Sequence, residues 1–364
     1  MRFAYGRALR YSRAWARGPA PLVEEEIPVH SDGRVVPGTL YRPRSAPGPL
    51  PGWVVLHGLT RPGRYHPSLV RFCRALSSSP AVVLCPEIPE WIELRLAPEQ
   101  ALPVIRHAVL TLSRRPESHP RRTGLIGFSF GAPQALLAAT DPTLTEVLAC
   151  VAGFGGFFDI ERTLRFLFTG DHEWQGRQLH RRPDPYGRWI VGANYLTHLE
   201  QHRDAGPVAA ALHSLAVAAG ERRIESWDPA HDPLKAELRA SLPTTQRPLW
   251  DLFVPPAGGD PTPEQAEPLV REMAAVIRSL SPAMAPDEFV GRLRTPVRLI
   301  HGRSDHLIPY TETLRAGAAL RGHPDARITI TGLFGHSEEG DGAGMRAWEG
   351  LRLLRALAGI LGAA

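Results

Sequence analysis

Residues 127–131, of sequence Gly-Phe-Ser-Phe-Gly, carry the clearest chemical signal in this chain of 364 residues. They fit the pattern G-x-S-x-G, in which a serine sits on a sharp turn between a strand and a helix. The apolar pair Leu125-Ile126 predicts a buried strand before the turn, and the alanine- and leucine-rich residues 132–139 predict a helix after it. Such a turn lifts the serine hydroxyl clear of the sheet, and glycines are needed where strand and helix leave no room for a Cβ. We therefore predict that Ser129 is a nucleophile.

Two further segments follow predicted strands nearer the C-terminus. Asp305 follows the strand at 297–300, and His336 follows the strand at 327–330. Ligands of open α/β sheets bind at the carboxyl ends of the strands, so both side chains fall at the reactive edge. A neutral imidazole can take the serine proton, and a carboxylate can hold that imidazole in the required tautomer. The pattern predicts a catalytic triad of Ser129, Asp305 and His336.

With these residues in place, the chain resembles the α/β hydrolases. The order nucleophile, acid, histidine is that of this fold and of neither classical serine protease fold. The resemblance runs from about residue 23 to residue 361, apart from a central insertion. It implies an α/β fold with a mostly parallel, doubly wound sheet and a largely helical lid. The glycine-flanked serine and the proline-rich front half are similar to dienelactone-hydrolase-like and peptidase-like esterases. Dienelactone hydrolases proper have cysteine at the position of Ser129, so that subfamily's substrate is not implied.

An acyl-transfer reaction also needs N–H donors for the negative oxygen of its tetrahedral intermediate. The backbone amide of Phe130, which follows the nucleophile, would supply one of them. The resemblance implies the second from Leu59, which completes a His-Gly-x motif after the strand at 53–56, with Thr60 as the alternative. The resemblance implies no cofactor and no metal ion.

Several assignments have competitors. Asp159 follows the predicted strand at 147–151 and is the rival acid, since some members of the family take their acid from that strand. Asp305 could instead cap a helix that starts near Tyr310. His57 is interpreted as architectural, with a ring that hydrogen-bonds the oxyanion loop and takes no part in proton transfer.

Apolar strands alternate with helices through most of the chain, which favours a parallel sheet covered on both faces. A further strand is predicted at 81–85, and helices are predicted at 65–77, 97–114 and 345–361. Residues 24–42 alternate around Asp32-Gly33 and predict a β-hairpin, so the sheet would begin with antiparallel strands. We divide the chain into a basic N-terminal arm (1–22), a core (23–156 and 290–364) and a lid insertion (157–289).

The insertion is rich in aromatic residues that could line an acyl pocket, although for most of them the lid's own core is the better interpretation. They are Phe166, Phe168, Trp174, Tyr186, Trp189, Tyr195 and Trp227. The group Asp171, His172, Glu173 and His180 could suggest a metal site. We reject that interpretation because no wider pattern of ligands supports it.

Composition excludes several classes of protein. The net charge is +5 and almost all basic residues are arginine, but they are scattered, so nucleic-acid binding is not expected. Three distant cysteines argue against a disulfide framework. No apolar run is long enough for a membrane span, and the arginine-rich N-terminus has no signal-peptide core. We expect a cytoplasmic protein whose N-terminal arm packs on its own domain, although the arm could instead coat an anionic membrane.

The leading hypothesis is a serine hydrolase that cleaves a small carboxylic ester with an apolar acyl group. An acyltransferase on the same fold would form the same acyl-enzyme but exclude water. A non-catalytic binding protein is the third hypothesis, and the presence of all three triad residues argues against it. The natural substrate and the oligomeric state stay open, because fold does not determine function.

Overall fold

The computed structural model describes residues 2–45, 48–222, 224–255, 259–333 and 343–364. The strands in this part of the chain are β1 (Leu22–Ser31), β2 (Arg34–Pro43), β3 (Leu50–Leu56), β4 (Val82–Pro86), β5 (Ser118–Phe128), β6 (Leu148–Phe154), β7 (Asp171–Trp174), β8 (Arg177–His180), β9 (Val297–Gly302) and β10 (Ala326–Thr331). Eight of them form one sheet in the order β1-β2-β4-β3-β5-β6-β9-β10. The pairs β1–β2 and β2–β4 are antiparallel, and the remaining pairs of this sheet are parallel.

The helices are α1 (Arg2–Arg17), α2 (Pro67–Ser78), α3 (Pro89–Ile92), α4 (Pro98–Ser113), α5 (Gly131–Ala138), α6 (Ile160–Thr169), α7 (Tyr186–Tyr195), α8 (Gly206–Arg222), α9 (Asp232–Ser241), α10 (Arg247–Phe253), α11 (Pro263–Leu280), α12 (Pro286–Phe289), α13 (Tyr310–Ala319) and α14 (Ala343–Leu361). Many of them begin with proline in the first turn, where its missing N–H is not needed. No helix of the described residues is both long and apolar enough to cross a membrane.

The sheet is covered on both faces because its central strands are apolar throughout. Alternate residues of β3 point to opposite sides. Val54 and Leu56 join the larger hydrophobic cluster, which includes α4, α5 and the insertion. Trp53 and Val55 join a second cluster with α1, α2 and α14. The predicted doubly wound α/β class is confirmed.

The predicted antiparallel start of the sheet is also confirmed. Strands β1 and β2 pair from Leu22 with Pro43 to Ser31 with Arg34, which leaves a two-residue turn. In that turn Asp32 has a φ of +40° and Gly33 a φ of +83°. Two positive φ values in a row give the turn whose twist matches a hairpin, and this is why an Asp-Gly pair stands there.

The N-terminal arm is a helix, which the sequence does not predict. Helix α1 packs against α2 and α14 and buries Ala8, Tyr11 and Ala14. Its Tyr11 ring meets the ring of Phe72 edge-on at 5.5 Å between centroids. The arm therefore packs on its own domain, as expected.

The insertion lies between β6 and β9, which are neighbours in the sheet. It contains helices α6 to α12 and a small hairpin of β7 and β8. Its buried side chains, among them Trp189 and Leu212, belong to the same hydrophobic cluster as Val54 and Leu125 of the sheet. The insertion therefore packs directly on one face of the core.

Candidate active site

Ser129 lies on a strained turn between β5 and α5. Its φ is +50°, a left-handed value that costs a residue with a side chain of order 1–3 kcal/mol. The backbone fixes this conformation, because the Ser129 amide donates to the carbonyl of Phe154 at 2.7 Å and the Ala132 amide donates to the Ser129 carbonyl at 2.9 Å. Strained residues of this kind are concentrated at functional sites.

The two glycines of the G-x-S-x-G pattern are there for steric reasons. A Cβ on Gly127 would lie 2.0 Å from the Gly131 carbonyl oxygen. A Cβ on Gly131 would lie 2.7 Å from the carbonyl oxygen of His57, at the end of β3. Both distances are too short for any side chain, as the sequence pattern predicts.

The loop after β3 runs directly beside Ser129. A Cβ on Gly58 would lie only 3.3 Å from the Ser129 Cβ. Leu59, the predicted second oxyanion donor, follows Gly58, and Phe130, the predicted first donor, lies just before α5. The Phe130 ring is buried against the rings of Trp91 and Phe157. The elements thus bring both predicted donors to the same end of the sheet as the serine.

His57 holds this loop in place with both ring nitrogens. Its Nδ1–H donates to the Gly58 carbonyl at 2.8 Å, and its Nε2 accepts the Ile88 amide at 3.1 Å. Burial lowers the pKa of His57 to about 4. The hydrogen bond to the Gly58 carbonyl raises this pKa, but by less than burial lowers it. The ring is therefore neutral near pH 7 and cross-links the loops after β3 and β4. These contacts agree with the architectural interpretation of His57.

Asp305 lies in the loop after β9 and is 4% exposed. Its Oδ1 accepts the backbone amides of Leu307 at 2.8 Å and Ile308 at 3.0 Å. Helix α13 begins later, at Tyr310, so these bonds close a turn and do not cap that helix. The other oxygen, Oδ2, is 3.5 Å from Nε2 of His301 and 3.3 Å from the position of a Cβ on Gly155.

The end of β6 connects this carboxylate with the serine. Phe154 accepts the Ser129 amide, and the next residue, Gly155, faces Oδ2 of Asp305. Gly155 has a φ of +61°, and its amide donates to the Ile300 carbonyl of β9. Ser129 and Asp305 therefore lie on adjoining loops at the carboxyl edge of the sheet.

The rival acid, Asp159, is engaged elsewhere. It is the N-cap of α6, where its Oδ1 accepts the Arg162 amide at 2.8 Å. Its Oδ2 accepts from Nη2 of Arg278 at 2.8 Å and lies 3.6 Å from Arg162. Both oxygens thus serve a helix terminus and an ion pair.

His336, the predicted general base, lies outside the described residues. The strand before it, β10, ends at Thr331 and pairs in parallel with β9. The chain therefore leaves the sheet toward residues 334–342 from the edge at which Asp305 is found.

The strand order and the turn at Ser129 decide the architecture. Six strands in the order β1-β2-β4-β3-β5-β6 continue into two further parallel strands, and the strained serine follows β5. The fold is that of the α/β hydrolases.

Comparison with known proteins adds similarities in structure. No protein-family model matches the sequence, and no curated protein matches it. A putative dienelactone hydrolase from Klebsiella pneumoniae is 14% identical with a TM-score of 0.48, and the match covers 93% of this chain and 99% of that chain. Pyrococcus horikoshii acylaminoacyl peptidase is 14% identical with a TM-score of 0.49, over 93% of this chain and 40% of the peptidase. Brefeldin A esterase, a bacterial protein, is 16% identical with a TM-score of 0.47, over 99% of this chain and 83% of the esterase. At these values the comparisons assign no reaction to this α/β-hydrolase-fold chain.

The aromatic residues of the insertion divide into two groups. Phe166, Phe168, Trp189 and Tyr195 are buried, and they form core. Trp227 instead packs against His306, the neighbour of Asp305, with 5.1 Å between ring centroids. The sequence does not predict the contact of Trp227 with the loop of Asp305, because 78 residues separate these two residues and no spacing rule links them.

Tyr186 is the second aromatic residue of the insertion that approaches the site. A Cβ on Gly220 of α8 would lie 3.3 Å from both the Tyr186 hydroxyl and the Arg61 side chain. Arg61 lies two residues after Leu59 and donates to the Ile92 carbonyl at 3.0 Å. The insertion therefore touches the loops that hold Leu59 and Asp305.

The acidic and histidine residues near 171–180 bind one another and nearby elements. His180 contacts Asp171 at 2.9 Å, His172 contacts the Thr311 hydroxyl at 3.1 Å, and Glu173 pairs with Arg315 at 2.6 Å. Within the described ranges, no group of three or more His, Cys, Asp or Glu side chains is arranged to hold a metal ion.

Proposed function

We propose that this chain is a serine hydrolase that cleaves a small carboxylic ester through an acyl-enzyme on Ser129. The observation that carries the proposal is the strained φ of Ser129 on a strand–turn–helix at the sheet edge where a buried carboxylate, Asp305, also lies. A serine on such a turn exposes its hydroxyl at the edge of the sheet, where a substrate can reach it.

In this mechanism the Ser129 Oγ attacks the ester carbonyl while His336 takes its proton. The negative oxygen of the tetrahedral intermediate is stabilised by the Leu59 and Phe130 amides. Collapse of the intermediate breaks the ester C–O bond, and the histidine returns the proton to the departing alcohol. Water, activated by the same histidine, then releases the acid and regenerates Ser129.

Asp305 would orient His336 and stabilise the imidazolium that forms during each step. Its turn supports this role, since two backbone amides fix one oxygen, while the other faces Gly155 at the end of β6 and lies 3.5 Å from Nε2 of His301.

Hydrolysis of a short-chain aryl ester tests the proposal. We expect Ser129→Ala to reduce the rate to that of the uncatalysed reaction while the protein stays folded, because the turn is held by backbone bonds that alanine retains. Ser241→Ala is the matched control, since Ser241 is exposed at the end of α9 and bonds only within its own helix among the described residues. More than a few per cent of wild-type activity in Ser129→Ala would contradict the assignment.

A further inference from the structure

A concave site lies between β9, β10 and α14. It is a pocket of about 280 Å³ whose lining includes four arginines, namely Arg298, Arg327, Arg352 and Arg355. Arg298 and Arg327 are the second residues of β9 and β10 and lie side by side in the register. They are therefore near the amino ends of their strands, whereas Ser129 and Asp305 lie at the carboxyl ends.

Among the described residues, the arginines of this pocket outnumber the carboxylates that pair with them. Arg298 is buried and donates to Asp325 Oδ2 at 2.8 Å and to the backbone carbonyls of Gly359, Val297 and Asp325, so it contributes charge more than free donors. Arg327 approaches the other oxygen of Asp325 at 3.6 Å. Arg352 lies 3.4 Å from Glu349. Among the described residues Arg355 has no carboxylate within ion-pair distance. The pocket therefore has an excess of positive charge.

The four arginines line one volume beside Gly359 of α14. A Cβ on Gly359 would lie 3.7 Å from Nε of Arg298 and 3.8 Å from Nη1 of Arg327. Arg355 precedes Gly359 by four residues and Arg352 by seven, so both lie on the helix face that carries Gly359. The charges come from three elements but meet in one volume.

We propose that this pocket binds the phosphate group of a small phosphate monoester. A carboxylate offers two coplanar oxygens and is matched by a single guanidinium fork, whereas a tetrahedral phosphate can accept from donors that approach from several directions. Thr329 lies two residues after Arg327 on the same face of β10 and adds a hydroxyl to the lining, while Ala356 provides an apolar wall for the carbon body of the ligand.

Calorimetric titration of the full chain with inorganic phosphate and with glycerol 3-phosphate, at constant chloride, tests the proposal. We expect saturable binding that is tighter for the monoester. Arg327→Gln and Arg355→Gln should each weaken it about tenfold or more, the size expected for loss of a charge-assisted hydrogen bond. Arg177→Gln, which removes the same charge from an exposed position on β8, should leave the affinity unchanged.

Ser129→Ala should bind both probes as the wild type does, so the result does not depend on the proposed hydrolase activity. The absence of saturable binding at tens of millimolar, or equal affinity in the Arg327→Gln/Arg355→Gln double variant, would overturn the proposal. Binding to vesicles that contain phosphatidic acid, with none to the free probes, would also overturn it, because the partner would then be a lipid surface.

Discussion

Asp305 and Asp159 follow strands that are neighbours in the sheet, and their surroundings differ in chemistry. Asp305 keeps one oxygen in a local turn, and its other oxygen faces the end of β6 and lies 3.5 Å from Nε2 of His301. Asp159 uses both oxygens, one for the N-terminus of α6 and one for Arg278. The position of the Asp305 carboxylate beside the end of β6 therefore favours it as the proposed orienting acid.

Amide substitutions of these two residues should have separate effects. We expect Asp305→Asn to lower kcat by about 10⁴-fold, because an amide favours the wrong histidine tautomer. Asp159→Asn keeps a good N-cap but loses the Arg278 ion pair, so it should cost about 1–3 kcal/mol of stability and change kcat less than tenfold. Steady-state kinetics and chemical denaturation of both variants check this, and the reverse ranking of kcat would move the acid to the loop after β6.

At the scale of residues, the sequence predicts well the positions that obey a local rule. Ser129 and its glycines follow from a turn that leaves no room for a Cβ, and Asp305 is placed by its strand. The contact of Trp227 with His306 and the bond to the Phe154 carbonyl are tertiary and have no local signature, so the sequence does not predict them. His336 stays a prediction.

At the scale of elements, His57 connects the loops after β3 and β4. Its ring is fully buried and bonds to the backbone on both sides. Because burial depresses its pKa, the folded protein binds a proton on this ring less readily than the unfolded chain does. Protonation of the ring would remove the bond that Nε2 accepts from the Ile88 amide, so we expect acid to weaken the connection between the two loops.

The stability that His57 contributes should fall as the medium becomes acidic. The unfolded ring titrates near ~6.5 and the folded ring at about 4, so its contribution is complete above pH 6.5 and is lost as the pH falls toward 4. The full change is about 3 kcal/mol. Urea denaturation of wild type and His57→Gln should show a stability difference that shrinks over this range, while other histidines cancel in the comparison. A difference that is constant with pH would contradict the lowered pKa.

Most elements of the sheet were predictable because buried parallel strands are apolar throughout and end at glycine or proline. Outside this sheet, helix α1 and the strands β7 and β8 were not predicted. Helix α1 was obscured by arginines and Gly6, and it is a helix because Ala8, Tyr11 and Ala14 pack on α2 and α14. The strands β7 and β8 have four residues each, mostly polar, and they pair with each other in a two-stranded sheet that a turn at Gln175-Gly176 connects.

At the scale of the whole molecule, the insertion and the sheet share one hydrophobic cluster. Within the insertion, the buried Arg188 donates to the carbonyls of Phe253, Leu167 and Phe168 and pairs with Asp260. Arg188, which lies on α7, therefore connects α7 to α6 and to α10. We therefore expect the insertion and the core, which the proposed boundaries at 157 and 289 separate in the sequence, to unfold together.

Calorimetry of Arg188→Met tests this expectation. The substitution leaves buried carbonyls and Asp260 without their donor, which should cost about 3–5 kcal/mol. We expect one unfolding transition in the wild type and one in the variant, shifted to lower temperature, and no shift in Arg177→Gln. Two transitions, of which only one moves, would show that the insertion is an independent domain.

The central claim, that Ser129 is an activated nucleophile, is tested most directly by labelling with a fluorophosphonate probe followed by peptide mapping. The wild type should incorporate one label per chain, on Ser129, because only an activated serine displaces fluoride from phosphorus. Ser129→Ala should incorporate none, and His336→Ala should react far more slowly because its serine lacks a base. A folded wild type that takes up no label, or a label mapped to another residue, would contradict the account.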